Sequence, residues 1–184
     1  MTVGEIISLG ALLSGKDDIS ADFAAGDANG NDAEIKKFYT AYNLTVSELS
    51  EEIEPLIKTE TIVTDGGKIL FTELSEKIKR IIDIKENGRT VAFKVFPQYA
   101  LTSAAVAEVT YAYSPEYVSS GDEICPYDER TFSKRTLATA VAAEYLLTIG
   151  LFDEAVNLRK RFEDEISAYA IRKKRGKMKK RTWA

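Results

Sequence analysis

Apolar positions along the chain change their spacing twice, from a helical period to an alternating one and back. Thr2 and Glu5 form a T-x-x-E capping box. Behind it Val3, Ile6, Ile7, Leu9, Leu12 and Leu13 predict a first helix ending near Gly15. Residues 16–32, rich in Asp, Gly, Ala and Ser, read as a loop. A second helix is expected from Asn31 or Asp32. Its stripe is Ile35, Phe38, Tyr39, Tyr42, Val46, Leu49 and Ile53, and Pro55 closes it.

The period then shortens. Residues 56–63 and 68–71 are short β-type runs around Asp65-Gly66-Gly67, a hairpin signal. Ile78 to Lys85 is a β-branched run. Asn87-Gly88 joins it to a strand in which Val91, Phe93 and Val95 alternate with Ala92 and Lys94. After Pro97 a last strand sets Val109, Tyr111 and Tyr113 against Glu108, Thr110 and Ala112. These runs predict an antiparallel sheet of four to six strands between about residues 57 and 114.

Residues 114–131, with Pro115, Gly121, Pro126 and several acids, read as a connector. Helical spacing returns at 132–149, where Ala138, Ala140, Ala142 and Ala143 permit close approach of a neighbour, and Gly150 suits the C′ position. The last helix is expected from about Phe152 to Lys174, with Phe152, Ala155, Val156, Arg159, Phe162, Ile166 and Tyr169 on one side. The predicted class is α+β. Segments 1–55 and 132–171 form an antiparallel bundle of about four helices, 57–114 an inserted β-sheet, and 172–184 a basic arm.

Charge changes this picture most. The chain has 25 bases, 29 acids and a net charge of −4. Eight of the bases lie in the last thirteen residues: Arg172, Lys173, Lys174, Arg175, Lys177, Lys179, Lys180 and Arg181, with no acid among them. The remaining 171 residues keep 17 bases against all 29 acids, a net of −12. A segment with such charge and only Met178 and Trp183 as large apolar groups does not fold alone. It reads as an arm that becomes ordered on an acidic partner, a neighbouring copy or nucleic acid. Trp183, the only tryptophan, is a favoured interface anchor. The tyrosines on apolar stripes are expected in cores, and their number also suits subunit contacts.

Composition thins the enzyme readings. There is no histidine, hence no His-containing triad and no His metal site; one cysteine, Cys125, allows no intrachain disulfide. Gly10 to Lys16 matches seven positions of a P-loop, but Asp17 replaces the Ser or Thr that holds magnesium, and the segment ends a helix. Asp27 to Asp32 starts like a calcium loop, yet glycine is fourth and Phe38 is twelfth, so a helix-capping loop is the expectation. No catalytic, cofactor-binding or metal-ligating residue is nominated, and Cys125 is expected to be an inert thiol. Glu5 stands where a secretory leader needs positive charge, and Thr136–Phe152 is too short and too polar to span a bilayer. The expectation is a chain made and kept in a reducing, soluble compartment, without membrane contact.

The segment FSKRTLATAVAAEYLLTIGLFDEAVNLRKRFEDEISAYAIRKKRGKMKKRTWA, from Phe132 onward, resembles the C-terminal part of tailed-bacteriophage neck proteins. These are the head-to-tail adaptor, or head-completion, proteins. The likeness lies in an alanine-rich helix ending A-A-E-Y, the turn Gly150-Leu151-Phe152 with Glu154-Ala155, a long charged helix and the terminus Arg181-Thr182-Trp183. Thr64-Asp65-Gly66-Gly67, the run Ile78–Ile84 and a tyrosine-bearing strand before Ser114-Pro115 extend it to about two-thirds of the chain. The resemblance implies a structural protein of the virion neck, a homo-oligomeric ring, often of twelve copies, seated between the portal protein and the next neck or tail protein. It puts the docking role on Arg172, Lys173, Lys174, Arg175, Lys177, Lys179, Lys180, Arg181 and Trp183. The β-insertion departs from the smaller all-helical adaptors and leaves its own role open. Two other readings stand beside this one: a nucleic-acid-associated protein using the basic arm on phosphates, and another virion component such as a tail terminator.

Overall fold

In the computed structural model, which describes residues 1–28 and 32–175 (the last two by backbone alone), the capping box at Thr2 is closed. Glu5 N–H donates to Thr2 Oγ1 (3.3 Å) and Thr2 N–H to the Glu5 carboxylate (3.0 Å). The fold mixes helix and sheet: five α-helices and two antiparallel sheets among the described residues. It divides into two compact units, one of Met1–Glu48 with the chain from Tyr117 onward, the other of Leu49–Glu116.

The helical unit comprises α1 (Val3–Leu13), α2 (Asp17–Ala25), α3 (Ala33–Glu48), α4 (Lys134–Thr148) and α5 (Phe152–Arg175). Helix α4 is buried almost all round and packs against α1, α3 and α5, while α2 lies on α1. Its small residues make this possible. Ala138, Ala140, Ala142 and Ala143 let neighbours approach, and a Cβ on Gly10 of α1 would stand 3.3 Å from both Ala138 O and Val141 Cγ1. The α4–α5 turn is a Schellman motif: Leu151 N–H donates to Leu146 O (3.0 Å), Gly150 N–H to Leu147 O (3.2 Å), and Gly150 has φ +83°.

Three expectations for this unit need correction. Helix α2 occupies a segment expected to be loop. Asp17 and Asp18 sit at its positive end, Ile19 is buried, the Phe23 ring meets Tyr39 edge-on at 5.7 Å, and Ser8 bonds to Ser20. Helix α3 does not run as α-helix to Pro55 but gives way at Leu49 to a π-turn, in which Glu54 N–H reaches Leu49 O (2.8 Å). On α5 the buried stripe is Ala155 and Phe162, while Phe152 (64%) and Val156 (62%) stand exposed. The segment read as a connector is an ordered strap. Glu123 O and Gly121 O accept the N–H groups of Val3 and Gly4 at the start of α1, and the buried Asn43 side chain bonds both backbone groups of Val118 (2.9 Å each). Asp32 caps α3 through the N–H groups of Glu34 and Ile35.

The β unit holds β1 (Leu56–Val63), β2 (Lys68–Leu70), β3 (Ile78–Glu86), β4 (Arg89–Thr90), β5 (Phe93–Val95), β6 (Tyr99–Thr102) and β7 (Val106–Tyr113). They form two sheets rather than one, ordered β1-β7-β3-β4 and β2-β6-β5. Ile69, Leu74, Ile84, Ala104, Ala107, Val109 and Tyr111 make their shared core, with Phe71, Phe93 and Tyr113 packed around it. Asn87 (φ 51°) and Gly88 (φ 77°) give the two-residue turn of the β3–β4 hairpin. The turn at Asp65-Gly66-Gly67 does not make a hairpin. Beyond one bridge between Asp65 and Lys68, β1 leaves to pair with β7 and β2 with β6.

Gly10→Leu is expected to force α1 from α4 and lower unfolding free energy by about 1–3 kcal/mol in urea titration, with spectra showing the fold retained. A stability equal to wild type would mean that the α1–α4 approach is not tight.

Candidate docking site

The only site that charge and pattern nominate is the basic C-terminal segment, and it grows out of α5. The first four of its basic residues, Arg172, Lys173, Lys174 and Arg175, continue that helix, close to the expected end near Lys174. Arg172 and Lys173 are exposed. Lys177, Lys179, Lys180, Arg181 and Trp183 lie outside the described residues. Basic residues at a helix C-terminus are favoured by the helix dipole, which explains why the helix extends into the charged run.

The base of the arm is fixed. Phe132, buried before α4, packs its ring against Tyr169 of α5 and against Tyr127, each at 5.0 Å between centroids. Thr136 Oγ1 donates to Glu165 (2.6 Å), and Ser133 caps α4 through Thr136 N–H (3.1 Å). Arg172 lines a hollow of about 240 Å³ with Glu129, Arg130, Thr131, Tyr169 and Glu165. Farther along α5, Arg159 is a three-way clamp. Its guanidinium holds Glu48 of α3 bidentately, Glu144 of α4 (3.2 Å) and Glu163 of α5 (3.2 Å). Those carboxylates, Glu48 foremost, raise the arginine further above its already high pKa. Glu144 is pushed up because burial outweighs the arginine's pull. The axis carrying the arm is therefore tied to the helical unit at both ends.

Two further polar clusters were not foreseen, because their members are far apart in sequence. Glu34 of α3 accepts from Lys37 (2.8 Å) and from the Tyr145 hydroxyl of α4, and pairs with Lys16 (3.3 Å). Lys37 first, then Tyr145, hold its carboxyl down at about 2. In the β unit Glu60 accepts from the Ser75 hydroxyl and N–H (3.1 Å) and from Tyr111 (2.9 Å), with Lys58 at 3.4 Å. Ser75 chiefly lowers it to about 2. These carboxylates are committed to cations and hydroxyls in a pinning arrangement. A groove of about 640 Å³ also runs between α1, α2 and the strap, bordered by Leu9, Phe23 and Tyr39, and its polar groups Ser8–Ser20 and Glu5–Lys134 pair with each other. The Cys125 thiol is buried, and burial pushes its pKa up. Among the described residues no group of acids and cysteine is arranged to hold a metal, and no helix is long and apolar enough to cross a membrane.

No protein-family model matches the chain, and no curated protein matches it in sequence.

The depressed carboxyls set a pH dependence. Their folded pKa of about 2 lies below the ordinary carboxylate value of 4.5, so their stabilisation is present above pH 4.5 and is lost as pH falls toward 2. Glu34→Gln is expected to lower stability at pH 7 and flatten the acid limb of a stability–pH curve between those values. An unchanged acid slope would contradict the pinning role. Arg159→Met, leaving Glu48 and Glu144 without their cation, is expected to cost about 1–2 kcal/mol in urea unfolding, discounted for partial exposure.

Proposed function

We propose that this chain is a head-to-tail adaptor of a tailed-bacteriophage virion, a ring subunit joining the portal to the tail around the DNA exit channel. The arm from Arg172 to Trp183 docks on the portal. The observation that carries the reading is the separation of charge: a body of net −12 continues, through a helix pinned at both ends, into a run of eight cations. Its resemblance to neck proteins from Phe132 onward points the same way.

The chemistry suits the task. An acidic ring repels the phosphates of DNA moving through it, which favours sliding over sticking. A basic arm forms charge-assisted hydrogen bonds with an acidic partner surface, and Trp183 supplies an apolar anchor. A charged arm whose favourable contacts form only on an acidic partner makes assembly conditional on the portal being present. In this reading α1, α3, α4 and α5 form the antiparallel bundle of the ring wall, and the β unit faces the next neck or tail protein or a neighbouring copy. The role needs no cofactor, metal or catalytic residue.

Because Arg172 to Arg175 belong to α5, the clean cut falls after Arg175. A chain lacking 176–184 is expected to keep wild-type thermal stability and to lose co-sedimentation with portal rings by at least about tenfold. Undiminished joining by the folded truncated chain would contradict the docking role. Binding to DNA that falls steeply with salt, without any to the portal, would favour the nucleic-acid reading.

A further inference from the structure

We infer that the β unit carries a self-complementary sheet edge, through which β1 pairs antiparallel with β1 of a second copy of this chain. This does not rest on the adaptor reading. Thr64 N–H donates to Ala105 O (3.0 Å), one step past the last β1–β7 pair, Val63 with Val106. In an antiparallel ladder hydrogen-bonded pairs alternate, so Ile62, Glu60, Lys58 and Leu56 turn their peptide groups toward β7. Ile57, Thr59, Thr61 and Val63 turn theirs toward the open side. The same four residues carry exposed side chains, Ile57 at 55% and Val63 at 77%.

The edge lacks the usual protections. It is eight residues long, without proline, glycine or bulge. Its two charged side chains, Lys58 and Glu60, are held by Ser75, Glu76 and Tyr111. The other edges do not compare. Strand β3 shifts register twice and is partly covered by β4, and β2 and β5 are three residues each. Among the described residues β1 is thus the one long regular free edge, so its match in a second copy is β1 itself.

The pattern of the edge points to that occupant. Outward residues read Ile57, Thr59, Thr61, Val63: apolar, hydroxyl, hydroxyl, apolar, the same in either direction. With a two-fold axis at Glu60, Ile57 faces Val63 of the second copy and Thr59 faces Thr61, each pair occurring twice. Every outward N–H and C=O of the four residues finds a partner in this register, and like meets like on the exposed face. The two Glu60 carboxylates at the axis are flanked diagonally by two Lys58 ammonium groups. Such a contact is isologous, distinct from the head-to-tail contacts that close a ring, and in a ring-forming protein it stacks two rings face to face.

Sedimentation of the full chain from about 1 µM to about 1 mM tests the contact. The wild type is expected to show a concentration-dependent doubling of mass. Thr61→Pro removes an outward N–H and none from the β1–β7 ladder, so it stays folded and halves the mass of the assembly. Ile57→Glu or Val63→Lys alone weakens doubling at least tenfold, and the double variant restores it by setting opposite charges across each pair. A wild type that never doubles overturns the inference. So does a folded Thr61→Pro that doubles unchanged, or a double variant no better than either single one. Thr61→Pro leaves portal joining intact and truncation after Arg175 leaves doubling intact, so the two readings fail separately.

Discussion

Between Thr136 and Leu146 helix α4 exposes no side chain fully, and the helical unit is arranged around that constraint. A helix wrapped by α1, α3 and α5 must present small or apolar groups in every direction, which the run from Leu137 to Ala143 does. Its polar groups must then find partners inside. Thr136 bonds to Glu165, Thr139 bonds back to Arg135 O, Tyr145 meets Glu34, and Glu144 meets Arg159. Two partners come from α5, one from α3 and one from α4 itself, so satisfying the polar groups of this helix fixes the placement of α3 and α5. The firm mounting of α5 follows from this.

The β unit solves a different problem. Its two sheets close over a small core, and Tyr111, buried at the centre, carries its hydroxyl to Glu60 rather than to water. The alternation of β1 puts Lys58 and Glu60 on the core side, where Tyr111 and Ser75 hold them, and leaves Thr, Ile and Val to face out.

Local chemistry was legible in the residues. The Thr2–Glu5 box, the stop at Gly150, the Asn87-Gly88 turn and the stripe Ile35–Leu49 depend on neighbours within a few positions and appear as expected. What depends on distant partners was not. Asp17 to Ala25 reads as loop because its helix is held by Tyr39 and Ser8, beyond its own sequence. Asp65-Gly66-Gly67 carries a true turn signal, but strand choice was decided by β7 and β6, some forty residues on. Phe152 and Val156 fit a helical stripe, yet the helix is turned so that Ala155 and Phe162 face inward. For the arm, the helical spacing that predicts a last helix to about Lys174 already places Arg172, Lys173 and Lys174 on α5, which runs one residue farther, to Arg175.

Electron microscopy of the full chain mixed with its portal ring tests the central claim most directly. The account predicts a second ring stacked coaxially on the portal, with density from the end of α5 reaching the portal surface. Small particles that never join the portal, in the presence of intact portal rings, would contradict it.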